Sequence, residues 1–254
     1  MTIFQCENST YGIFSGVYDA WDSRLGHENI RLQIYENVNY ELFSDYVQVP
    51  VDPEKAEKVA RTLRLRLHED DYHHIYHATL SKDREKADNI YRTIVLGLHY
   101  GRDRSIMQNL QNRYICRVFE LSRNTEHEAH QYTGFVRFRE LQNKILFSEI
   151  QPENYVLPLM GEHFADRFPK EHFLIYDNTH EVFLVHEAHK AWGLVEGETL
   201  NREQVENISK EEEKFRKLWT GFCRNIAVQE RTNKRLQQQL LPLRYRRYMT
   251  ESFE

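Results

Sequence analysis

The chain has 254 residues, 40% of them hydrophobic, and a net charge of −5. That is enough chain for one large domain or two small ones, and enough apolar material for a packed core. The acidic balance excludes a general attraction to polyanions, and no apolar run approaches the roughly 20 residues of a membrane span.

Residues Met1 to Glu7 lack a basic start followed by an apolar stretch, so no signal peptide is expected. The three cysteines, Cys6, Cys116 and Cys223, are far apart, and no CxxC occurs. Isolated thiols of this kind fit a reducing cytosol and give no framework for an iron–sulfur or cysteine zinc site. The expectation is a cytoplasmic protein with no cofactor and no metal.

In chain order, Ile3 to Cys6 reads as a short strand. Asn8 and Ser9 offer a helix cap, and Ile13, Phe14, Val17, Tyr18 and Trp21 follow at amphipathic spacing. Ile30 to Tyr35 alternates as a half-buried strand does. Asp52-Pro53 starts a helix with an apolar stripe at Ala56, Val59, Ala60, Leu63 and Leu67. A second stripe runs from Ala87 to Leu98 and ends at Gly101. A third helix begins at Ile115 and stops near Gly134.

Beyond Gly134 the pattern changes to strands. Phe135 to Leu141 and Ile145 to Ile150 read as a hairpin around Gln142-Asn143-Lys144. A short helix over about Leu159 to Arg167 precedes two further strands, Phe173 to Tyr176 and Val182 to His186. Strand–strand–helix–strand–strand predicts an α+β fold with antiparallel strand pairs, a helical middle and a helical C-terminus. Near the C-terminus, Phe215, Leu218, Trp219, Phe222, Cys223 and Ile226 share one helix face, and Trp219 and Phe222 on it read as core rather than base-stacking. The chain is expected to form a single compact unit, with a soft boundary near 103–112.

Arg224 to Arg247 is the clearest local charge signal. It holds seven cations against one acid, Glu230. Arg231, Arg244, Arg246 and Arg247 would neutralise phosphates, Asn233 and Gln237 would hydrogen-bond backbone or base edges, and Tyr245 would stack on an unpaired base. The competing reading is a solvated face balancing Glu211 to Glu213. Arg137 and Arg139 alternate with Val136 and Phe138, which places both arginines on one sheet face. Arg167 is a further candidate for phosphate contact.

The thirteen histidines raise the question of a metal. His127 and His130, and His186 and His189, are three apart, whereas a HExxH signature needs four. His73 and His77 have the right spacing for two ligands, but no third is evident. Glu128, His130, His163 and Asp177 are candidate acid–base residues, expected to converge around the hairpin after Gly134. Their structural alternative is bonding to a strand carbonyl for His130 and turn capping for Asp177. No GxGxxG, Walker A or GxSxG motif is present.

Several motifs together carry a resemblance. They are Tyr11-Gly12-Ile13-Phe14, Tyr18 to Trp21, Glu128-Ala129-His130, Gly134 to Phe138, Pro158 to Phe168 and Ile175-Tyr176-Asp177. Leu218-Trp219, Glu230-Arg231, Asn233, Gln237, Pro242, Arg244-Tyr245 and Glu251 complete the set. In this order they resemble an uncharacterised bacterial family described as DNA metabolism proteins, over nearly the whole chain. Gln131 and His180 depart from the arginines expected there. The resemblance implies DNA as a partner, together with a separate radical-SAM DNA repair or modification protein. A similar domain is joined elsewhere to uracil-DNA glycosylase-like domains. Three functions follow as expectations: a nucleic-acid-binding accessory protein, a DNA-acting enzyme using the Glu/His/Asp group, or a protein-only adaptor.

Overall fold

A computed structural model describes residues 1–35, 41–226 and 233–249. It divides into two compact units, Met1–His127 and Glu128–Glu254. The fold is α+β, as the order of elements implies.

In the N-terminal unit, β1 (Thr2–Cys6) is the central strand of a three-stranded sheet. It pairs in parallel with both β2 (Ile30–Ile34) and β3 (Asp45–Gln48). Parallel neighbours need a crossover, and α1 (Thr10–Asp22) supplies it between β1 and β2. Ser9 caps α1 by accepting from the Gly12 amide at 2.9 Å. Ile13, Phe14 and Val17 are buried as their spacing predicts, whereas Trp21 is exposed and packs beside the His27 ring.

Asp52 caps α2 (Pro53–Arg66) and accepts from the amides of Glu54 and Lys55. Its predicted stripe is buried at Ala56, Ala60, Leu63 and Leu67. α3 (Glu69–Thr79) and α4 (Lys86–Tyr100) complete the layer, and Gly101 ends α4 at φ 79°.

The stretch near 103–112 is not a boundary. A 3-10 turn at Ile106–Gln108 buries Ile106 and Met107 in the N-terminal core. Fully buried Asp71 fixes that turn, accepting from Ser105 Oγ at 2.5 Å and the Ile106 amide at 3.0 Å. The two units divide within α5 (Arg113–Phe135).

His74 on α3 joins Ser122 Oγ at 2.8 Å and packs against Phe119. Burial lowers its pKa below the usual histidine range, and Glu126, Asp70 and Asp71 oppose the shift. Burial lowers His77 likewise. The folded unit therefore resists protons that the unfolded chain accepts. Stability should be complete above about pH 6.5 and fall as pH drops toward the folded-state values. Urea denaturation at stepped pH checks this, and His74→Gln should flatten the profile.

The C-terminal unit is built on a five-stranded sheet in the order β4-β5-β6-β7-β8. These strands are Arg139–Glu140, Leu146–Ile150, Phe173–Asp177, Val182–His186 and Gly193–Glu196. The pairs β4–β5, β6–β7 and β7–β8 are antiparallel, but β5–β6 is parallel. The crossover holding α6 (Leu157–Arg167) reverses the direction that a simple meander would give.

The first predicted hairpin strand is shorter than expected. α5 continues through Phe135, and only Arg139–Glu140 pair with β5. Val136 and Phe138 instead pack partly buried in the core, with Phe138 against Phe164, Phe168 and Phe173. One sheet face carries this larger cluster. The other carries Leu141, Phe147, Tyr176 and Val205.

The remaining helices are α7 (Arg202–Glu206), α8 (Lys210–Ile226), α9 (Lys234–Leu240) and α10 (Leu243–Arg246). Among the described side chains the α8 stripe is not core; those of Cys223 and Ile226 lie outside the described residues. Phe215 is 62% exposed, Leu218 72% and Phe222 53%. Trp219 is half-buried and stacks on Phe222. Helical spacing marks an apolar stripe but does not supply the element that would cover it.

Candidate nucleic-acid interface

The four acid–base candidates separate by burial. Glu128 is 2% exposed on α5. Its carboxylate accepts from the amides of Glu153 at 3.0 Å and Asn154 at 2.8 Å, and from Asn154 Nδ2 at 2.6 Å. Asp177 is fully buried at the end of β6 and caps the following turn. It accepts from the amides of Thr179 and His180, and its Oδ2 lies 2.7 Å from His180 Nδ1. His130 and His163 are both exposed. His163 rests edge-on against Phe164, and the His130 carbonyl accepts from Thr133.

No hydrogen bond or ion pair joins any two of these four. Glu128 and Asp177 spend their oxygens on local N–H groups because a buried carboxylate must be satisfied. The histidines, on outward positions of their helices, have no such requirement. Tyr132 stands near both acids. Burial and the charges of Glu128 and Asp177 push its hydroxyl pKa far up, and that hydroxyl has no hydrogen-bond partner among the described residues.

The basic candidates also divide. Tyr245 is 3% exposed and packs between Tyr132 and Phe135 at ring distances of 4.8 and 5.0 Å. It is a core residue, which corrects the expectation of a base-stacking platform. Arg244 lies over the Tyr245 ring, 3.5 Å from Glu153 and 3.9 Å from Glu128. Arg246 Nε donates to the Leu241 carbonyl, and Arg247 donates to Gln151 Oε1 at 2.6 Å. This part of the basic segment is therefore largely committed to holding α10 in place.

The other part is open. Asn233 caps α9, accepting from the Leu236 amide at 3.0 Å. Every residue of α9 is exposed, including Lys234, Arg235, Gln237, Gln238 and Gln239. Neither Lys234 nor Arg235 has an ion-pair partner among the described residues. Arg231 and Arg224 were also expected to contribute. Arg231 lies outside the described residues, as does the side chain of Arg224.

Arg137 and Arg139 do not form an exposed pair on one strand. Arg137 precedes β4 and folds back to donate to the Gly134 carbonyl at 2.9 Å. Arg139 is half-buried over Phe147, at 5.0 Å from the ring centre. Arg167 is exposed at the end of α6, beside Phe168.

Sequence reasoning missed Arg202 and Arg216, which stand near Arg139. Both sit in stretches rich in glutamate, so segmental charge counting hid them. In the N-terminal unit an apolar groove of about 370 Å³ runs along Val17, Tyr18, Trp21, Val59 and Leu98, with Lys58 at its edge. None of the candidate catalytic or nucleic-acid-binding residues read from the sequence lines it.

Among the described residues no group of three or more His, Cys, Asp or Glu side chains is placed to hold a metal ion. No described helix is long and apolar enough to cross a membrane.

No curated protein matches the chain. The family DUF4130, a domain of unknown function, matches residues 84–251. That span takes in α4, α5 and the whole sheet of the C-terminal unit. The chain therefore belongs to the uncharacterised DUF4130 family.

Proposed function

We propose that this protein is a nucleic-acid-binding accessory factor in DNA repair or modification, acting with a separate radical-SAM type enzyme. The observation that carries the binding reading is α9. Its Lys234 and Arg235 are exposed, unpaired among the described residues, and interleaved with exposed glutamines. Cations without protein partners are free to neutralise phosphates, and amide side chains beside them can hydrogen-bond a sugar–phosphate backbone. The chain as a whole is acidic, so such a contact must be local. The DNA setting and the radical-SAM partner rest on the family resemblance of the motifs.

The accessory reading is preferred to an enzymatic one because Glu128 and Asp177 are engaged by backbone amides and neither histidine hydrogen-bonds to them.

The test is fluorescence anisotropy with labelled single- and double-stranded DNA across a salt series. The double variant Lys234→Ala, Arg235→Ala should weaken binding by about tenfold and lower the salt slope by about 2, one unit per lost phosphate contact. Unchanged affinity and slope in that variant would remove α9 from the interface. Absence of binding to either form of DNA would overturn the reading.

A further inference from the structure

We infer that the face of the C-terminal sheet bearing Phe147 holds a phosphate group, gripped by Arg139, Arg202 and Arg216. Three elements bring these side chains to one place. Arg139 on β4 is the cross-strand partner of Phe147, and its guanidinium lies over that ring. Glu149 is two residues further along β5 and therefore on the same face. Glu149 Oε1 accepts from Arg202 at 2.9 Å and from Asn178 Nδ2 at 2.6 Å, which fixes Arg202 beside the sheet. α8 is pinned at its start, where Glu212 Oε2 accepts from the Glu140 amide at 3.3 Å. Arg216 is one helical turn beyond Glu212, on the same side of α8.

The charges there do not balance within the protein. Glu149 is committed to Arg202 and Asn178. Among the described residues neither Arg139 nor Arg216 has a carboxylate within ion-pair distance. The Arg139 Nε is buried and has no hydrogen-bond partner among the described residues. Leaving such a donor unmet costs about 1–3 kcal/mol, more for a charged group. Burial already lowers the Arg139 pKa, and Arg216 and Arg202 lower it further against the pull of Glu149 and Glu206. An anion among the three guanidiniums offsets their mutual repulsion.

A tetrahedral phosphate suits them because the guanidinium fork bonds two of its oxygens at once. The site stands independently of α9. Assigning its phosphate to a nucleic-acid strand rests on the function proposed above.

The experiment is isothermal titration calorimetry of the full chain with inorganic phosphate, and anisotropy with a single-stranded oligonucleotide. Saturable phosphate binding is expected. Arg139→Gln and Arg216→Gln should each weaken it about tenfold or more. Arg61→Gln, on α2 of the N-terminal unit, should leave it unchanged. Circular dichroism confirms that each variant is folded. Arg216→Gln removes a surface side chain of α8 and keeps the test valid if Arg139→Gln fails to fold.

If the Arg216 variant loses oligonucleotide affinity together with phosphate, the bound phosphate belongs to nucleic acid. If it loses only phosphate, the site stands and serves a small phosphorylated molecule, and the strand assignment falls. Phosphate affinity equal in wild type and both arginine variants, or no saturable binding at all, would overturn the site.

Discussion

Glu128→Ala should lower the stability of the C-terminal unit by about 3 kcal/mol, which is a fall of roughly 5–10 °C in Tm. The carboxylate it removes accepts from two backbone amides and one side-chain amide at 2.6–3.0 Å. Glu128 is 2% exposed and Asn154 8%, so little water is available to replace the lost acceptor. Each stranded donor adds its own desolvation cost. The nearby Arg244 loses an acidic neighbour as well.

His130→Ala and His163→Ala should stay within about 0.5 kcal/mol of wild type, because both side chains are exposed and neither satisfies a buried group. Thermal unfolding followed by circular dichroism separates the two classes. A Tm for Glu128→Ala within about 1 °C of wild type would show that its carboxylate is not a structural cap.

Gly12→Ala should destabilise the N-terminal unit by about 2 kcal/mol, against the ordinary preference of a helix for alanine. A Cβ at Gly12 would lie 2.5 Å from the Glu7 carbonyl oxygen and 2.7 Å from the Glu7 Cβ. The obstruction is backbone, so the turn between β1 and α1 must move. Overpacking of this kind costs about 1–3 kcal/mol or more, against about 1 kcal/mol gained from helix propensity.

The control is Gly221→Ala on α8, where an added Cβ meets nothing within 4 Å. There the propensity gain of about 0.5–1 kcal/mol should appear unopposed. Equal effects at the two positions would show that the β1–α1 turn yields freely. The close approach also gives a physical reason for glycine within the Tyr11-Gly12-Ile13-Phe14 motif.

Local chemistry was legible in the sequence. Asp52-Pro53 starts α2, Ser9 caps α1 and Gly101 ends α4, because caps and terminators act through their own backbone. The apolar stripes of α2 and α4 are buried where their 3.6-residue spacing places them, and Val182–His186 is the strand its alternation indicates. The capping role weighed for Asp177 is local in the same way.

The parallel pairing of β5 with β6, the exposure of the α8 stripe and the burial of Tyr245 were settled only by the tertiary structure. Each depends on which distant element lies alongside, and periodicity carries no information about that. Charge counting failed for the same reason. Arg244, Arg246 and Arg247 stood out as a cationic run, yet the fold engages each with protein atoms. Arg139, Arg202 and Arg216 lie on three separate elements, two of them among glutamates, and only the folded chain sets them together. The sequence determined which segments would be helix, strand and cap, because those are contests between near neighbours. Which charges remain without a partner is a sum over the whole fold, and tertiary structure alone decided it.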